Sequence, residues 1–299
     1  MPEKYSVCVV GLGSMGMGAA RSCIKAGLVT YGVDLDLAKC RELVEAGAAG
    51  AGAGCEQAGE LDALVLLVVN AKQCKAVLFG ENGLADRLKP GAVVMVSSTI
   101  SANDAKEIAG KLEQKKLNVL DAPVSGGAVK ANAGDITVMA AGKIEAFDRL
   151  APVLDAVAGK VYNIGEEIGL GSTVKIIHQL LAGVHIAAGA EAMALAARAN
   201  IPLDVMYDVV THAAGNSWMF ENRMKHVVDG DYSPKSAVDI FVKDLGLVNQ
   251  TGLALNFPLP LAATAYTMFA NASNAGFGKL DDSAVIKTFS GIKLPGQDA

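Results

Sequence analysis

Residues 5–34, YSVCVVGLGSMGMGAARSCIKAGLVTYGVD, decide the fold of this chain. The run 5–10 is apolar and rich in β-branched residues, which predicts a buried strand. A glycine-rich segment follows at once, and a helical pattern then continues to Gly27, a residue that favours a helix end. A second short strand, 29–33, leads directly to Asp34. This order of strand, glycine-rich turn, helix and strand predicts a βαβ unit.

The glycine-rich segment, Gly11-Leu12-Gly13-Ser14-Met15-Gly16, has the spacing of a dinucleotide-binding turn. Gly11 would permit the tight turn, Gly13 the approach of a pyrophosphate to the backbone, and Gly16 the close packing of helix and strand. The N-terminus of the helix would offer free N–H groups and positive potential to the phosphates. A tight strand–helix turn without a ligand is the alternative, but the context favours a dinucleotide site formed by these six residues.

Asp34 bears on the choice of cofactor, because it follows the second strand eighteen positions after Gly16. A carboxylate at that place hydrogen-bonds the ribose hydroxyls of NAD and repels the additional phosphate of NADP. We therefore predict NAD as the cofactor. Lys39 and Arg41 leave NADP open as the alternative.

Further apolar runs predict strands at residues 61–69, 92–96, 119–122, 136–141 and 160–164. Helical patterns separate most of them, which predicts an α/β fold with a parallel, doubly wound sheet. Ligands of such sheets bind beyond the carboxyl ends of the strands, where Val69, Asn70 and Thr99 fall. We expect these three residues to contact the cofactor. For Thr99 the alternative is a helix cap ahead of Ser101.

Residues 169–199, GLGSTVKIIHQLLAGVHIAAGAEAMALAARA, form a long helical pattern. Small or apolar residues on nearly every face indicate burial all round, by this chain together with a partner subunit. A membrane span is the alternative, but polar residues interrupt every apolar run of the ~18 residues that a span needs. Lys175, His178 and Gln179 share one face near its start, where a buried polar cluster needs a partner or a ligand.

Only helical patterns follow residue 199. We therefore predict two domains, an NAD-binding Rossmann domain over residues 1–166 and an all-helical domain over 167–299. The second domain would carry the substrate cleft and the contacts of a homodimer or homotetramer.

Composition and charge exclude several functional classes. The formal net charge is −5 and no basic run is present, so we expect no nucleic-acid partner. The five cysteines form no C-x-x-C pair and no signal-peptide pattern opens the sequence, which favours a reducing cytoplasm. No histidine, cysteine or carboxylate cluster has metal-ligand spacing, so we expect no metal.

Four motifs together resemble the β-hydroxyacid dehydrogenase family, whose members include 3-hydroxyisobutyrate dehydrogenase and tartronate semialdehyde reductase. They are the glycine-rich turn, Asp121-Ala122-Pro123-Val124-Ser125-Gly126-Gly127, Gly169-x-Gly171-x-x-x-Lys175 and Lys243-Asp244-Leu245. The resemblance covers essentially the whole chain. It implies a Rossmann domain, a long interdomain helix and an all-helical C-terminal domain, with oxidation of a small hydroxy acid by NAD.

The resemblance also implies roles for individual residues. Ser125, Gly126 and Gly127 would cradle the substrate carboxylate, where a simple turn is the alternative. Lys243 would lie beside cofactor and substrate, where a solvated lysine is the alternative. Lys175 would be the general acid and base. We expect the helix dipole and desolvation to lower the pKa of Lys175 from ~10.4, so that its neutral amine can take the hydroxyl proton.

One departure from the family concerns the substrate. The family commonly has asparagine four residues after the catalytic lysine, whereas this chain has Gln179, preceded by His178. We interpret both as substrate contacts in a pocket rebuilt for a polyhydroxylated acid. For His178 a hydrogen-bonded structural histidine is the alternative. Residues 216–223, which hold the only tryptophan, would shape the cleft, with a core tryptophan as the alternative. A 3-hydroxyisobutyrate or tartronate semialdehyde enzyme, or a non-catalytic NAD-binding scaffold, remains a competing interpretation.

Overall fold

A computed structural model describes residues 4–296. The chain divides into two compact units, one ending at Lys175 and the other beginning at Ile176. The division falls inside a long helix, Leu170–Arg198, whereas the sequence-based boundary between residues 166 and 167 precedes that helix.

The first unit alternates strands and helices along the chain. Its strands are β1 Ser6–Val10, β2 Val29–Val33, β3 Gly50–Gly52, β4 Ala63–Leu66, β5 Val93–Val96, β6 Asn118–Asp121, β7 Val124–Ser125, β8 Ile136–Ala141 and β9 Ala158–Gly165. Its helices are α1 Ser14–Lys25, α2 Leu37–Glu45, α3 Ala71–Phe79, α4 Ala102–Gln114, α5 Gly127–Ala133 and α6 Ile144–Val157.

The strands form one sheet in the order β3-β2-β1-β4-β5-β6-β8-β7, and β9 pairs with β8. From β3 to β6 every pair is parallel, which confirms the predicted doubly wound parallel sheet. Beyond β6 the sheet becomes mixed, because β8 is antiparallel to β6 and to β7. The sequence did not predict β3 or β7, since each is short and β3 consists of glycine and alanine.

Both faces of the sheet are covered, as a parallel sheet requires. Side chains alternate along the strands, so that Val7 and Val9 pack on one face and Cys8 and Val10 on the other. On the first face α1 packs closely on α5, because a Cβ at Gly18 would lie 2.7 Å from Ala131. The five cysteines are buried free thiols.

Helix α7, Leu170–Arg198, runs from the first unit into the second. This chain alone does not cover every face of α7. A stripe of large apolar side chains, Ile177, Leu181 and Leu195, is more than half exposed. By length and composition α7 could cross a membrane, because its most apolar 18 residues have a mean hydropathy of 1.6. Half of these residues are buried inside the protein, however.

In the second unit the remaining described elements are helical, which confirms the all-helical C-terminal region. They are α8 Leu203–Thr211, α9 Trp218–Asp229, α10 Val238–Ala254, α11 Pro260–Ala272, a π-helical turn Ser273–Phe277 and a 3₁₀ helix Asp282–Thr288. A core of buried apolar residues joins them, with the rings of Phe241 and Phe269 stacked 5.1 Å apart.

Candidate active site

The glycine-rich turn after β1 has a separate geometric reason for each glycine. Gly11 has φ +91°, and a Cβ there would lie 2.7 Å from the carbonyl oxygen of Leu67. A Cβ at Gly16 would lie 1.8 Å from the carbonyl oxygen of Gly11, so only glycine lets α1 start this close to the turn. A Cβ at Gly13 would meet no protein atom within 4 Å. The open space over Gly13 fits the pyrophosphate of a dinucleotide, which must approach the backbone there.

The start of α1 adds a positive electrostatic potential beside the glycine-rich turn. Gly13 is the N-cap, and no side chain caps the helix. The positive end of the helix dipole is therefore left for an anion. Ser14 and Met15 follow at the surface of the turn. Leu12 is different, because its side chain is buried in the core and its N–H donates to Asp34.

Asp34 follows β2 and is held by two backbone N–H groups. Its Oδ2 accepts from Leu12 N at 2.7 Å, and its Oδ1 accepts from Asp36 N at 2.8 Å. A carboxylate has about four acceptor positions, so both oxygens retain capacity for a ribose hydroxyl. Since Asp34 accepts a hydrogen bond from the glycine-rich turn, the two parts of the predicted NAD site are in direct contact.

The other predicted cofactor contacts follow β4 and β5. Val69 is half exposed, and Asn70 is the N-cap of α3, its Oδ1 accepting from Gln73 N at 2.9 Å. The cap of α4 is Ser101, so the helix-cap alternative for Thr99 is wrong. The hydroxyl groups of residues 97 and 98, beside Thr99, are buried and have no hydrogen-bond partner within residues 4–296.

The segment Ser125-Gly126-Gly127 connects β7 to α5. Gly126 has φ +138° and Gly127 has φ +72°, conformations that residues with a Cβ rarely adopt. A Cβ at Gly126 would also lie 2.9 Å from the Cβ of Lys130. Two consecutive glycines are therefore required by the backbone of this turn, whether or not it binds a carboxylate.

Asp121, at the end of β6, holds the start of α7 in place. Its Oδ2 accepts from Gly169 N and Ser172 N, each at 2.9 Å, and its Oδ1 accepts from Ser172 Oγ at 2.6 Å. Burial raises the pKa of Asp121, and these hydrogen bonds oppose the shift. A Cβ at Gly171 would lie 2.3 Å from the carbonyl oxygen of Asp121, which explains the second glycine of the helix motif.

Lys175 lies in the second turn of α7 and is only 6% exposed. A cation near the N-terminus of a helix is opposed by the helix dipole, and burial further disfavours a charged amine. The environment of Lys175 is thus unlike that of a solvated surface lysine.

In the second unit the predicted substrate residues join a hydrogen-bonded chain that sequence patterns did not reveal. Gln179 on α7 and Asp244 on α10 are both buried, and Gln179 Nε2 donates to Asp244 Oδ2 at 2.6 Å. Lys243 Nζ contacts Asp244 Oδ1 at 2.5 Å. His178, which was expected to belong to a buried polar cluster, is exposed, and its Nδ1 lies 3.0 Å from Gln179 Oε1. These hydrogen bonds fix the orientations of four side chains, those of Lys243, Asp244, Gln179 and His178.

The segment 216–223 lies elsewhere in the second unit. Trp218 is 58% exposed, so the alternative of a core tryptophan is wrong. It lines an open cleft of about 320 Å³ together with Tyr207, Lys225 and Lys235. The role of this segment in substrate binding stays a prediction.

A second buried polar cluster was missed entirely from the sequence. Arg223 Nε lies 2.7 Å from Asp282 Oδ1, and the exposed fractions of the two side chains are 11% and 0%. Burial raises the pKa of Asp282 to about 7, and the positive charge of Arg223 opposes that shift. The two residues lie far apart in sequence. Arg223 ends the segment 216–223, but nothing in that segment points to Asp282, so no sequence signal could pair them.

Comparison with known proteins identifies the family. One family model, the NAD binding domain of 6-phosphogluconate dehydrogenase, matches residues 6–165. A second, NAD-binding of NADP-dependent 3-hydroxyisobutyrate dehydrogenase, matches residues 169–289. The chain belongs to the β-hydroxyacid dehydrogenase family. It is therefore an NAD-dependent dehydrogenase that acts on a hydroxy acid, as the sequence motifs predicted.

Relatives of this dehydrogenase carry two different substrate names. The L-threonate dehydrogenase of Pectobacterium atrosepticum is 72% identical over 98% of this chain and 97% of its own. The L-threonate dehydrogenase of Cupriavidus necator is 51% identical over 98% of both chains. A crystal structure from Salmonella typhimurium, described as 3-hydroxyisobutyrate dehydrogenase, is 69% identical with a TM-score of 0.93, over 96% of this chain and 100% of that one.

Proposed function

We propose that this dehydrogenase oxidises L-threonate with NAD at the hydroxyl next to the carboxylate, giving 2-oxo-tetronate, NADH and a proton. The observation that carries the proposal is the 72% identity to an L-threonate dehydrogenase over nearly the full length of both chains. The replacement of the family's usual asparagine by Gln179, with His178 beside it, supports a substrate more hydroxylated than 3-hydroxyisobutyrate.

The cofactor would be held by residues of the first unit. Gly11–Gly16 would receive the pyrophosphate, Asp34 the ribose hydroxyls, and Val69, Asn70 and Thr99 further parts of the nucleotide. The open space over Gly13 supports this fit, because no side chain of the protein fills it. Bound NAD supplies the hydride acceptor. By the family resemblance Lys243 is a further cofactor contact.

Lys175 would move the proton. Its Nζ, as a neutral amine, takes the proton of the C2 hydroxyl while the C2 hydrogen leaves as hydride, and it returns the proton in the reverse reaction. The burial of Lys175 supports this role, since desolvation favours the neutral amine. Ser125, Gly126 and Gly127 would fix the substrate carboxylate, with His178 and Gln179 as the other contacts.

Isotopic labelling tests both the substrate and the oxidised carbon. With L-threonate deuterated at C2, we expect deuterium to appear in the NADH that forms, together with a primary isotope effect on the rate. L-Threonate deuterated at C3 is the control and should give unlabelled NADH. Label transfer from C3, or no NADH from either compound, would contradict the proposal.

A second candidate is oxidation of 3-hydroxyisobutyrate. The observation that favours it is the description of the Salmonella typhimurium structure, which shares 69% of its residues with this chain. Tartronate semialdehyde reduction is supported only by the wider family resemblance. A non-catalytic scaffold is disfavoured because the lysine of the family motif is present as Lys175.

The assembly proposed with this function is a homodimer or homotetramer. The exposed apolar stripe of Ile177, Leu181 and Leu195 on α7 supports it, because monomeric proteins rarely expose contiguous apolar surface. Light scattering at micromolar concentration should report twice or four times the monomer mass, and a monomer would contradict it. The five buried free thiols support a reducing cytoplasm as the site of action.

A further inference from the structure

The hydrogen-bonded chain in the second unit determines which atom of each side chain faces its neighbour. Asp244, a carboxylate, can only accept hydrogen bonds. It takes one from Lys243 Nζ through Oδ1, and its Oδ2 lies 2.6 Å from the carboxamide of Gln179. The carboxamide must therefore direct its NH₂ group to Asp244. Its oxygen, Oε1, is thereby left facing His178.

The same reasoning fixes the tautomer of His178. Gln179 Oε1 has no hydrogen to give, so the ring nitrogen 3.0 Å away, Nδ1, must be the donor. A neutral imidazole carries one N–H. With that hydrogen on Nδ1, the other nitrogen, Nε2, is a hydrogen-bond acceptor.

We propose that Asp244 and Gln179 are positioning residues that keep His178 in its Nδ1–H tautomer, so that Nε2 accepts a hydrogen bond from a substrate hydroxyl at C3 or C4. This inference rests on the proposed function. The chemical class that it selects is a hydroxy acid with at least one hydroxyl besides the one that is oxidised. 3-Hydroxyisobutyrate has no such second hydroxyl.

The hydrogen-bonded series from Asp244 to His178 is continuous because the Gln179 side chain is long enough to reach both residues. Its carboxamide spans Asp244 on α10 and His178 on its own helix, with contacts of 2.6 and 3.0 Å. Asparagine is shorter by one methylene, about 1.5 Å, so it could not keep both contacts from the same backbone position. The departure from the family's usual asparagine is thus tied to the orientation of His178.

Nitrogen-15 NMR of the histidine side chains in the NADH-bound protein tests the tautomer directly. The chain has four histidines, and the signals of His178 are those that disappear in His178→Gln. We expect the Nδ1–H form in the wild type and its loss, or a mixture of tautomers, in Gln179→Met, which has nearly the same shape but no amide. An Nε2–H form in the wild type, or an unchanged Nδ1–H form in Gln179→Met, would overturn the proposal.

Kinetics with deoxy analogues test what the oriented histidine does. The 3-deoxy and 4-deoxy analogues of L-threonate both retain the C2 hydroxyl, and we expect wild-type kcat/KM to fall about tenfold or more for one of them, as for one lost hydrogen bond. His178→Leu and Gln179→Met should lose a similar factor on L-threonate, mainly through KM, and almost nothing on that same analogue. His212→Gln, at an exposed histidine, is the matched control.

Equal losses on L-threonate and on both analogues would mean that the residues are merely structural, and the proposal would fail. So would a wild type that does not distinguish the three acids. Failure of the proposed function looks different. In that case the wild type turns over none of the three acids, whereas the NMR result still reports whether Gln179 sets the tautomer of His178.

Discussion

Two parts of the molecule are built in opposite ways. One is the glycine-rich turn Gly11–Gly16 of the first unit, called here the dinucleotide turn. The other is the hydrogen-bonded series Lys243, Asp244, Gln179 and His178 of the second unit, called here the polar chain. The turn is six consecutive residues whose shape depends on backbone conformation and on the missing side chains of Gly11, Gly13 and Gly16. The polar chain joins Gln179 to Asp244, sixty-five residues later, through side-chain atoms alone. The shape of the first site is set mainly by a short run of backbone, whereas the second site depends on how two helices pack.

The difference predicts separable effects of mutation, since we propose that the turn binds a nucleotide common to many enzymes and that the polar chain contributes to binding one substrate. Variants of the turn should change cofactor binding for every substrate. Variants of the polar chain should change the choice among substrates at constant cofactor affinity.

Lys175→Met should have the largest effect on catalysis. It retains much of the side-chain volume and removes the amine, so we expect kcat to fall at least ~10²-fold, the usual contribution of a general base. The affinity for NADH, measured by fluorescence titration, should stay within about twofold, because the dinucleotide turn is unchanged. Turnover close to that of the wild type would remove Lys175 from the chemistry.

Gly13→Ala and Gly16→Ala form a matched pair within the turn. The added Cβ at residue 13 enters the open space proposed for the pyrophosphate, so we expect about tenfold weaker NADH binding and an unchanged Tm. The Cβ at residue 16 would lie 1.8 Å from Gly11 O, so this variant should lose stability. Unchanged NADH binding in a folded Gly13→Ala protein would place the pyrophosphate elsewhere.

Asp34→Ala should narrow the preference for NAD. The wild type should have a much higher kcat/KM with NAD than with NADP, because the carboxylate repels the 2′-phosphate. We expect the ratio of the two values to shrink by about tenfold in the variant. A change in stability does not affect this ratio, since both cofactors are compared on one protein preparation. A wild type equally efficient with both cofactors would contradict the assignment.

Asp282 should show a smaller effect, on stability alone. Burial raises its pKa to about 7, so the folded state binds this proton more tightly than the unfolded state. The stabilisation from protonated Asp282 is therefore complete below pH ~4 and is lost as the pH rises through about 7. Asp282→Asn has no such titration. The Tm of the wild type minus that of the variant should decrease between pH 5 and pH 8, and an increase would mean that the charge of Arg223 dominates.

Local features were predictable from the sequence, and contacts between distant residues were not. The glycine turn, the start of α1 and the acid after β2 depend on neighbouring residues, and the structure has them where the pattern placed them. The roles of Asp121 as the anchor of α7, and of Asp244 as the partner of Gln179, depend on contacts across 48 to 65 positions.

Helix α7 shows the same limit in another form. Its length and apolar character were clear from residues 169–199, and the structure has the helix at Leu170–Arg198. Which of its faces this chain covers could not be predicted, because periodicity is weak when nearly every residue is small or apolar. The exposed stripe therefore emerged only from the packed structure.

The most direct test of L-threonate as the substrate is the comparison of kcat/KM for L-threonate, 3-hydroxyisobutyrate and tartronate with NAD and one preparation of the purified protein. We expect the highest value for L-threonate, because it alone has both the carboxylate and the additional hydroxyls that the site is proposed to bind. A protein that oxidises 3-hydroxyisobutyrate or tartronate far faster than L-threonate would contradict it.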